Sequence, residues 1–270
     1  MESISELIGK ARAAQAEFEK TATQESVDAI VKAIAKVIYD NADPLAKMAA
    51  EESGMGVYED KINKNKGKAR VIWNFLKDKK SVGVINRDEK TCITEVARPM
   101  GVIAAITPCT NPIVTPMCNA MYAIKGRNAI IIAPHPRAKK CAKVVTDLFR
   151  KEIEKQGAPA DLVLLVEEPS TALSAELMSK CDVVVATGGM GMVKAAYSSG
   201  KPAYGVGAGN VQCIIDRGVN YAEAAPKIIE GRRFDNGIIC SGEQTIILPK
   251  EDYAEIIEIF VKNGCAYIEK

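Results

Sequence analysis

Histidine occurs once in these 270 residues, as His135, and tryptophan once. With a single histidine and no C-x-x-C pair, the ligands of a structural zinc site are missing, so no metal is expected. The same scarcity handicaps a cysteine protease, whose base would have to be His135 itself. Aromatic residues make up only 5% of the chain, too few for base-stacking platforms. An excess of one charge is lacking too: 36 basic residues face 34 acidic ones, for a net charge of +2. The basic runs KINKNKGK and KDKK have the spacing of a solvated helix face rather than of a nucleic-acid patch. No apolar run reaches the roughly 20 residues of a membrane span. Charges interrupt the N-terminal segment MESISELIGKARAAQAEFEK, so it does not read as a signal peptide. Neither nucleic acid nor membrane is an expected partner, and a cytoplasmic location is the matching expectation.

What is present is an ordinary globular composition, 47% hydrophobic and 26% charged. The eight cysteines (92, 109, 118, 141, 181, 213, 240 and 265) suggest disulfides by count. Several lie in apolar, strand-like runs where free cysteine behaves as a small hydrophobe. Residues 1–79 read as helices. Ser3 and Glu6 have capping-box spacing ahead of an apolar face made by Ile4, Leu7, Ile8, Ala11 and Phe18. Val27, Ile30, Val31, Ile34, Val37 and Ile38 mark a second helix, and Ile72, Trp73, Phe75 and Leu76 another apolar set. Residues 82–97 alternate apolar and polar positions around a charged turn, the pattern of a projecting β-hairpin.

From residue 101 short apolar runs alternate with helical stretches. GVIAAITP precedes a helix near 115–126 and NAIIIAPHP one near 138–156. DLVLLVEEP precedes a helix near 171–180 and DVVVATGG one near 191–199; NVQCIID closes the series. Strands buried on both faces, each followed by a helix, predict an α/β fold with a doubly wound parallel sheet. Ligands bind such sheets at the loops after the strands' C-terminal ends.

Those loops supply the candidate residues. In TGGMG, Thr187, Gly188 and Gly189 follow a strand and open a helix whose N–H groups suit a pyrophosphate. GVGAGN, with Gly205 and Gly207, is a second glycine-rich loop; taken alone, both are equally what a tight turn needs. In APHPRA, His135, Pro136 and Arg137 set a cation where a ribose phosphate or a CoA phosphate could meet it, or form a capped helix entry. ITPCTNP places Thr110 and Asn111 between prolines in a rigid polar loop that could aim donors at an oxyanion or simply form a capped turn, and Thr107 and Pro108 just before them are candidate cofactor contacts. Finally, FDNGIICSGEQ carries Cys240, which is either packing material or a nucleophile.

Taken in order, EVARPMGVIAAITPCTNP, IIIAPHPRAKK, ATGGMGMVKAAYSSGKPAYGVGAGN and FDNGIICSGEQ resemble the CoA-acylating branch of the aldehyde dehydrogenase family. The likeness extends to succinate-semialdehyde, acetaldehyde and butyraldehyde dehydrogenases and to the aldehyde half of bifunctional aldehyde–alcohol dehydrogenases. It covers essentially the whole chain. It implies an aldehyde-dehydrogenase-like Rossmann domain with N-terminal helices and a β-hairpin arm. Phe234, Asn236, Gly237 and Cys240 match the family's cysteine motif, which nominates Cys240 as nucleophile. Thr110, Asn111 or the Cys240 N–H would steady the oxyanion. The implied cofactor is NAD or NADP, with coenzyme A as co-substrate and a small aldehyde as substrate.

Two departures from the hydrolytic relatives refine that expectation. Gly205 stands where they carry the glutamate that activates the deacylating water, which favours acyl transfer to CoA over hydrolysis. His135, Pro136, Arg137 and Ala138 replace their K-P-x-E, removing the carboxylate that would repel a 2′-phosphate, so NADP should be tolerated. Family members continue well past Lys270. The resemblance therefore assigns residues 1–230 to a cofactor-binding domain and 231–270 to the opening of a truncated catalytic domain. Turnover by the 270 residues alone is expected to be weak or absent, which would leave a silent nucleotide-binding fragment. A bacterial cytoplasm, with microcompartment association open, and a homo-oligomer built through the 82–97 arm complete the expectation.

Overall fold

The computed structural model describes residues 2–268. Four helices come first: α1 (Ile4–Thr21), α2 (Gln24–Asp40), α3 (Ala42–Ser53) and α4 (Tyr58–Leu76). The α1 capping box forms as its spacing predicts, with the Ser3 N–H donating to Glu6 at 2.7 Å and the Glu6 N–H donating to the Ser3 hydroxyl at 3.3 Å. Thr23 and Ser26 repeat the device at α2. α2 buries Val27, Ile30, Val31, Ile34, Ala35 and Ile38 on one side, the stripe that a 3.6-residue period dictates. Gly54 ends α3 in a left-handed conformation with φ 64°. No described helix is long and apolar enough to cross a membrane.

β1 (Val84–Asp88) and β2 (Ile93–Val96) pair antiparallel into the expected hairpin. Neither strand buries a residue, and Val84, Ile93 and Val96 are all exposed. The hairpin projects from the body with no core of its own.

Five parallel strands follow, in the spatial order β5-β4-β3-β6-β7. They are β3 (Val102–Thr107), β4 (Ala129–Pro134), β5 (Val163–Leu165), β6 (Val183–Thr187) and β7 (Ala203–Val206). The crossovers between them carry α5 (Val114–Lys125), α6 (Lys139–Lys155), α7 (Thr171–Lys180) and α8 (Met190–Tyr197). Every residue of β4 is buried, and β3 is buried except for half-buried Ile103. Continuous apolar runs of this kind are what a sheet covered on both faces requires. The chain winds outward in one direction from β3 through β4 to β5, and in the other through β6 to β7. The switch point therefore lies between the C-terminal ends of β3 and β6, where an open α/β sheet forms its crevice.

One strand assignment is corrected. NVQCIID was expected to close the doubly wound sheet. Its strand β8 (Val211–Ile214) instead pairs parallel with β9 (Glu243–Ile247) in a separate two-stranded sheet. The edge place in the main sheet is taken by Ala203–Val206, which reads in sequence as part of a glycine-rich loop. Burial alone does not separate the two strands, because β7 and β8 both have half-buried residues only at alternate positions. What differs is the backbone partner, β6 for β7 and β9 for β8. The second unit adds α9 (Tyr221–Arg233) and α10 (Tyr253–Lys262). Its core is Ile215, Ala225, Ile228, Ile256 and Phe260. Residue 230 falls within α9, whose buried Ala225 and Ile228 belong to this second core.

The first core is continuous from α1 to α8, with β4 at its centre. Ile131, at 0% exposed, lies on that strand. Ile131→Ala is expected to cost about 2–5 kcal/mol, read as a lower urea midpoint with an unchanged slope.

Candidate active site

The strand-end loops of the parallel sheet and the loop carrying Cys240 enclose a cleft of about 790 Å³. Thr107, Pro108, Cys109, Thr110 and Asn111 enter it from the end of β3, and Pro134, His135 and Pro136 from the end of β4. Thr187, Gly188 and Gly189 come from the end of β6, and Val206 to Gly209 from the end of β7. The second unit adds Gly237 to Cys240 and Gln244. Residues more than 130 positions apart in sequence thus share one wall-to-wall space.

The local geometry of each contribution has a cause. Thr107 is 3% exposed, and its carbonyl accepts the His135 N–H at 2.9 Å, locking two strand ends together. The His135 Nδ1 accepts the Arg137 N–H at 3.1 Å, so the neutral ring carries its proton on Nε2. Asn111 donates to the Thr110 hydroxyl oxygen at 3.2 Å, which leaves the Thr110 hydroxyl hydrogen free for another acceptor. Gly189 caps α8. The first N–H groups of a helix have no acceptor within it and attract negative charge. A Cβ built on Gly189 meets nothing within 4 Å, so the helix start opens onto space.

Cys240 is exposed at the rim where the two units meet. It follows three successive left-handed residues: Asp235, Asn236 and Gly237 have φ of 53°, 54° and 67°. Aspartate, asparagine and glycine are the residues that tolerate that region best. Arg232 Nη1 donates to the Gly237 carbonyl at 3.1 Å, tying the turn to the end of α9. On the other side, Gly209 lets the chain from β7 pass beneath the cysteine. A Cβ there would lie 2.5 Å from the Cys240 carbonyl oxygen. The Cys240 N–H donates to no acceptor among the described residues.

Two of the sequence candidates lie elsewhere. Arg137 is not part of the cleft wall; its guanidinium donates to the Ser53 carbonyl at the C-terminal end of α3. Gly205 sits within β7 with its face turned to α8. A Cβ there would lie 2.8 Å from both the Tyr197 ring and Val193, and the Tyr197 hydroxyl accepts the Gly205 N–H at 3.2 Å. Conversely, sequence reasoning passed over Ser170 and Thr171 at the start of α7, Met192 on α8, and Gly209. Gly209 lies in the quoted motif GVGAGN, but its contact is with a residue 31 positions away. Among the described residues, no group of three or more His, Cys, Asp or Glu side chains is placed to hold a metal.

Comparison with known proteins supplies the context. The aldehyde dehydrogenase family pattern matches residues 1–265. The succinate-semialdehyde dehydrogenase (acetylating) of Clostridium kluyveri is 57% identical over 267 residues, 99% of this chain and 59% of that protein. An acetylating aldehyde dehydrogenase from Geobacillus thermoglucosidasius superimposes with a TM-score of 0.93 at 40% identity, over 99% of this chain and 59% of that one. A propionaldehyde dehydrogenase from Rhodopseudomonas palustris, solved with bound CoA and an acylated cysteine, gives 0.85 at 32% identity over 100% and 62%. The chain thus spans about three-fifths of the length of these relatives.

The cysteines differ sharply in environment, and alkylation reads that difference. Burial pushes the Cys118 thiol up to about 11 and also raises Cys141 and Cys181. A raised thiol holds less thiolate at a given pH and reacts more slowly. Iodoacetamide at about pH 8, with sites resolved by mass spectrometry, is expected to modify exposed Cys240 and Cys92 first. Cys118, Cys141 and Cys181 should resist until the chain is unfolded.

Proposed function

The chain belongs to the aldehyde dehydrogenase family, and from that premise we propose that it carries the nucleotide cleft and nucleophile of a CoA-acylating enzyme. The reaction is aldehyde + CoA + NAD(P)⁺ → acyl-CoA + NAD(P)H + H⁺. The observation that carries the reading is the placement of Cys240, exposed at the mouth of a cleft built from the ends of parallel strands.

The residues fit a dinucleotide. The open α8 start with Gly188 and Gly189 would receive the pyrophosphate, and the β3 and β4 loops at Pro108 and His135 would line the nucleoside side. When bound, the nicotinamide supplies the hydride acceptor, in the NAD or NADP form. Arg137, drawn to Ser53, is assigned no contact with a 2′-phosphate.

The thiolate of Cys240 attacks the aldehyde carbon, and its free N–H and the Thr110 hydroxyl hydrogen receive the oxygen as it gains charge. Asn111 orients Thr110 through the 3.2 Å bond. Loss of hydride from the thiohemiacetal carbon leaves an acyl thioester on Cys240. CoA thiolate then attacks that carbonyl, and Cys240 departs as thiolate, the better leaving group that cysteine offers over serine. Residue 205 carries no carboxylate, and its face is turned to Tyr197 and Val193 of α8, so this position offers no base to a deacylating water. Acyl transfer to CoA is favoured over hydrolysis on that ground.

In this reading the first core is the nucleotide-binding part, and the second, opening at β8, begins the catalytic domain. The small-molecule aldehyde belongs to the succinate-semialdehyde or short-chain class. The exposed apolar hairpin serves a homo-oligomer, and the enzyme works in a bacterial cytoplasm.

Absorbance of reduced nicotinamide, followed with an aldehyde panel, either dinucleotide, and CoA present or absent, tests the proposal. A CoA-dependent signal that Cys240→Ala abolishes is the expected result. A signal independent of CoA would instead mark a hydrolytic enzyme. Dinucleotide binding with no oxidation of any aldehyde would leave a silent nucleotide-binding module.

A further inference from the structure

The carboxylate of Asp235 is 0% exposed, on the turn that leads to Cys240. Two lysines of α4 converge on it. Lys61 Nζ lies 3.3 Å away and Lys64 Nζ is in direct contact, and both lysines are buried, at 2% and 6% exposed. The Val57 N–H donates to the same carboxylate at 2.9 Å, while the Asp235 N–H donates to Asp60 at 2.8 Å. Gly56 makes the approach feasible, since a Cβ there would lie 2.0 Å from Asp235 Oδ1. Charges taken out of water persist only where their pairing is this dense. Replacing one partner strands the other.

The residue so anchored is conformationally costly. Asp235 opens the run of three left-handed residues, a conformation that L-residues keep only when their surroundings over-determine it. The same two lysines also border a gap of about 10 Å³ beneath Asn111 and Pro112. They therefore reach both lips of the cleft, the β3 loop and the cysteine loop.

We propose that Asp235, clamped by Lys61 and Lys64, is a positioning residue that holds the left-handed turn and so sets Cys240 at the cleft, opposite Thr110 and Asn111. The proposal rests on the reading of Cys240 as nucleophile only for its significance. The geometry it predicts can be measured without turnover.

The test attaches a trifluoromethyl thiol reagent and reads the ¹⁹F spectrum, with each resonance assigned by a Cys→Ser substitution. The parent chain is compared with Asp235→Asn and with Asp235→Asn combined with Lys64→Met, which removes one cation along with the anion. The parent is expected to show a single Cys240 line. In both variants that line should split or broaden, while the line of remote Cys92 and the circular dichroism stay unchanged. A folded variant that keeps the parent's single Cys240 line would overturn the proposal, as would a parent line that is already split. A charge-balanced double variant that fails to fold overturns it too, because the cluster would then support the whole fold rather than one turn. A chain that forms no reduced nicotinamide yet shows the line change keeps the positioning role and loses only the dehydrogenase reading.

Discussion

The parallel register of five strands is the constraint on which the site depends. β3 is paired on one side with β4, from Val102 against Ala129 to Thr107 against Pro134, and on the other with β6. Because all five run the same way, their C-terminal ends fall along one edge, and whatever follows each strand is delivered there. Prolines stiffen the β3 and β4 loops, and glycines after β6 and β7 leave backbone rather than side chain facing the space. The cleft is a consequence of topology before any one side chain is considered.

The cysteine proposed as nucleophile comes from outside that sheet. Cys240 belongs to the unit built on β8 and β9, so its position depends on how the second unit's loop is held against the first. Gly209 supplies close backbone contact from one side. From the other, the buried charges of α4 hold the turn before the cysteine. Neither contact involves the thiol itself, which stays exposed and free to react. This division of labour, in which remote groups fix the backbone and the thiol is left open, is what the proposed role of Cys240, approached by two successive substrates, would require.

The parts of the fold legible in sequence are those with local signals. The α1 cap is written in Ser3 and Glu6, and β4 in an unbroken apolar run. The hairpin shows in an alternating pattern around a charged turn. β7 was missed because a four-residue edge strand containing Gly205, with Tyr204 and Val206 exposed, carries no buried-strand signature. β8 was placed in the wrong sheet because a strand's pattern reports how much of it is buried, not which partner buries it. Asp235 reads as a turn residue beside Asn236 and Gly237. Its lysine partners lie 174 and 171 positions away, beyond any local periodicity. Arg137 stands at a strand end, as a phosphate ligand would, yet its guanidinium turns to Ser53, a partner that only the packing of α3 reveals.

The central claim is that Cys240 accepts and gives up an acyl group in exchange with CoA. Its most direct measurement runs the transfer half of the reaction backward, where no nicotinamide is needed. The chain is incubated with succinyl-CoA or butyryl-CoA and analysed by peptide mass spectrometry. The account predicts an acyl mass on the peptide containing Cys240, reversed by added CoA, and absent from Cys240→Ala. Folded protein that stays unmodified at Cys240, or that acylates equally at exposed Cys92, would contradict it.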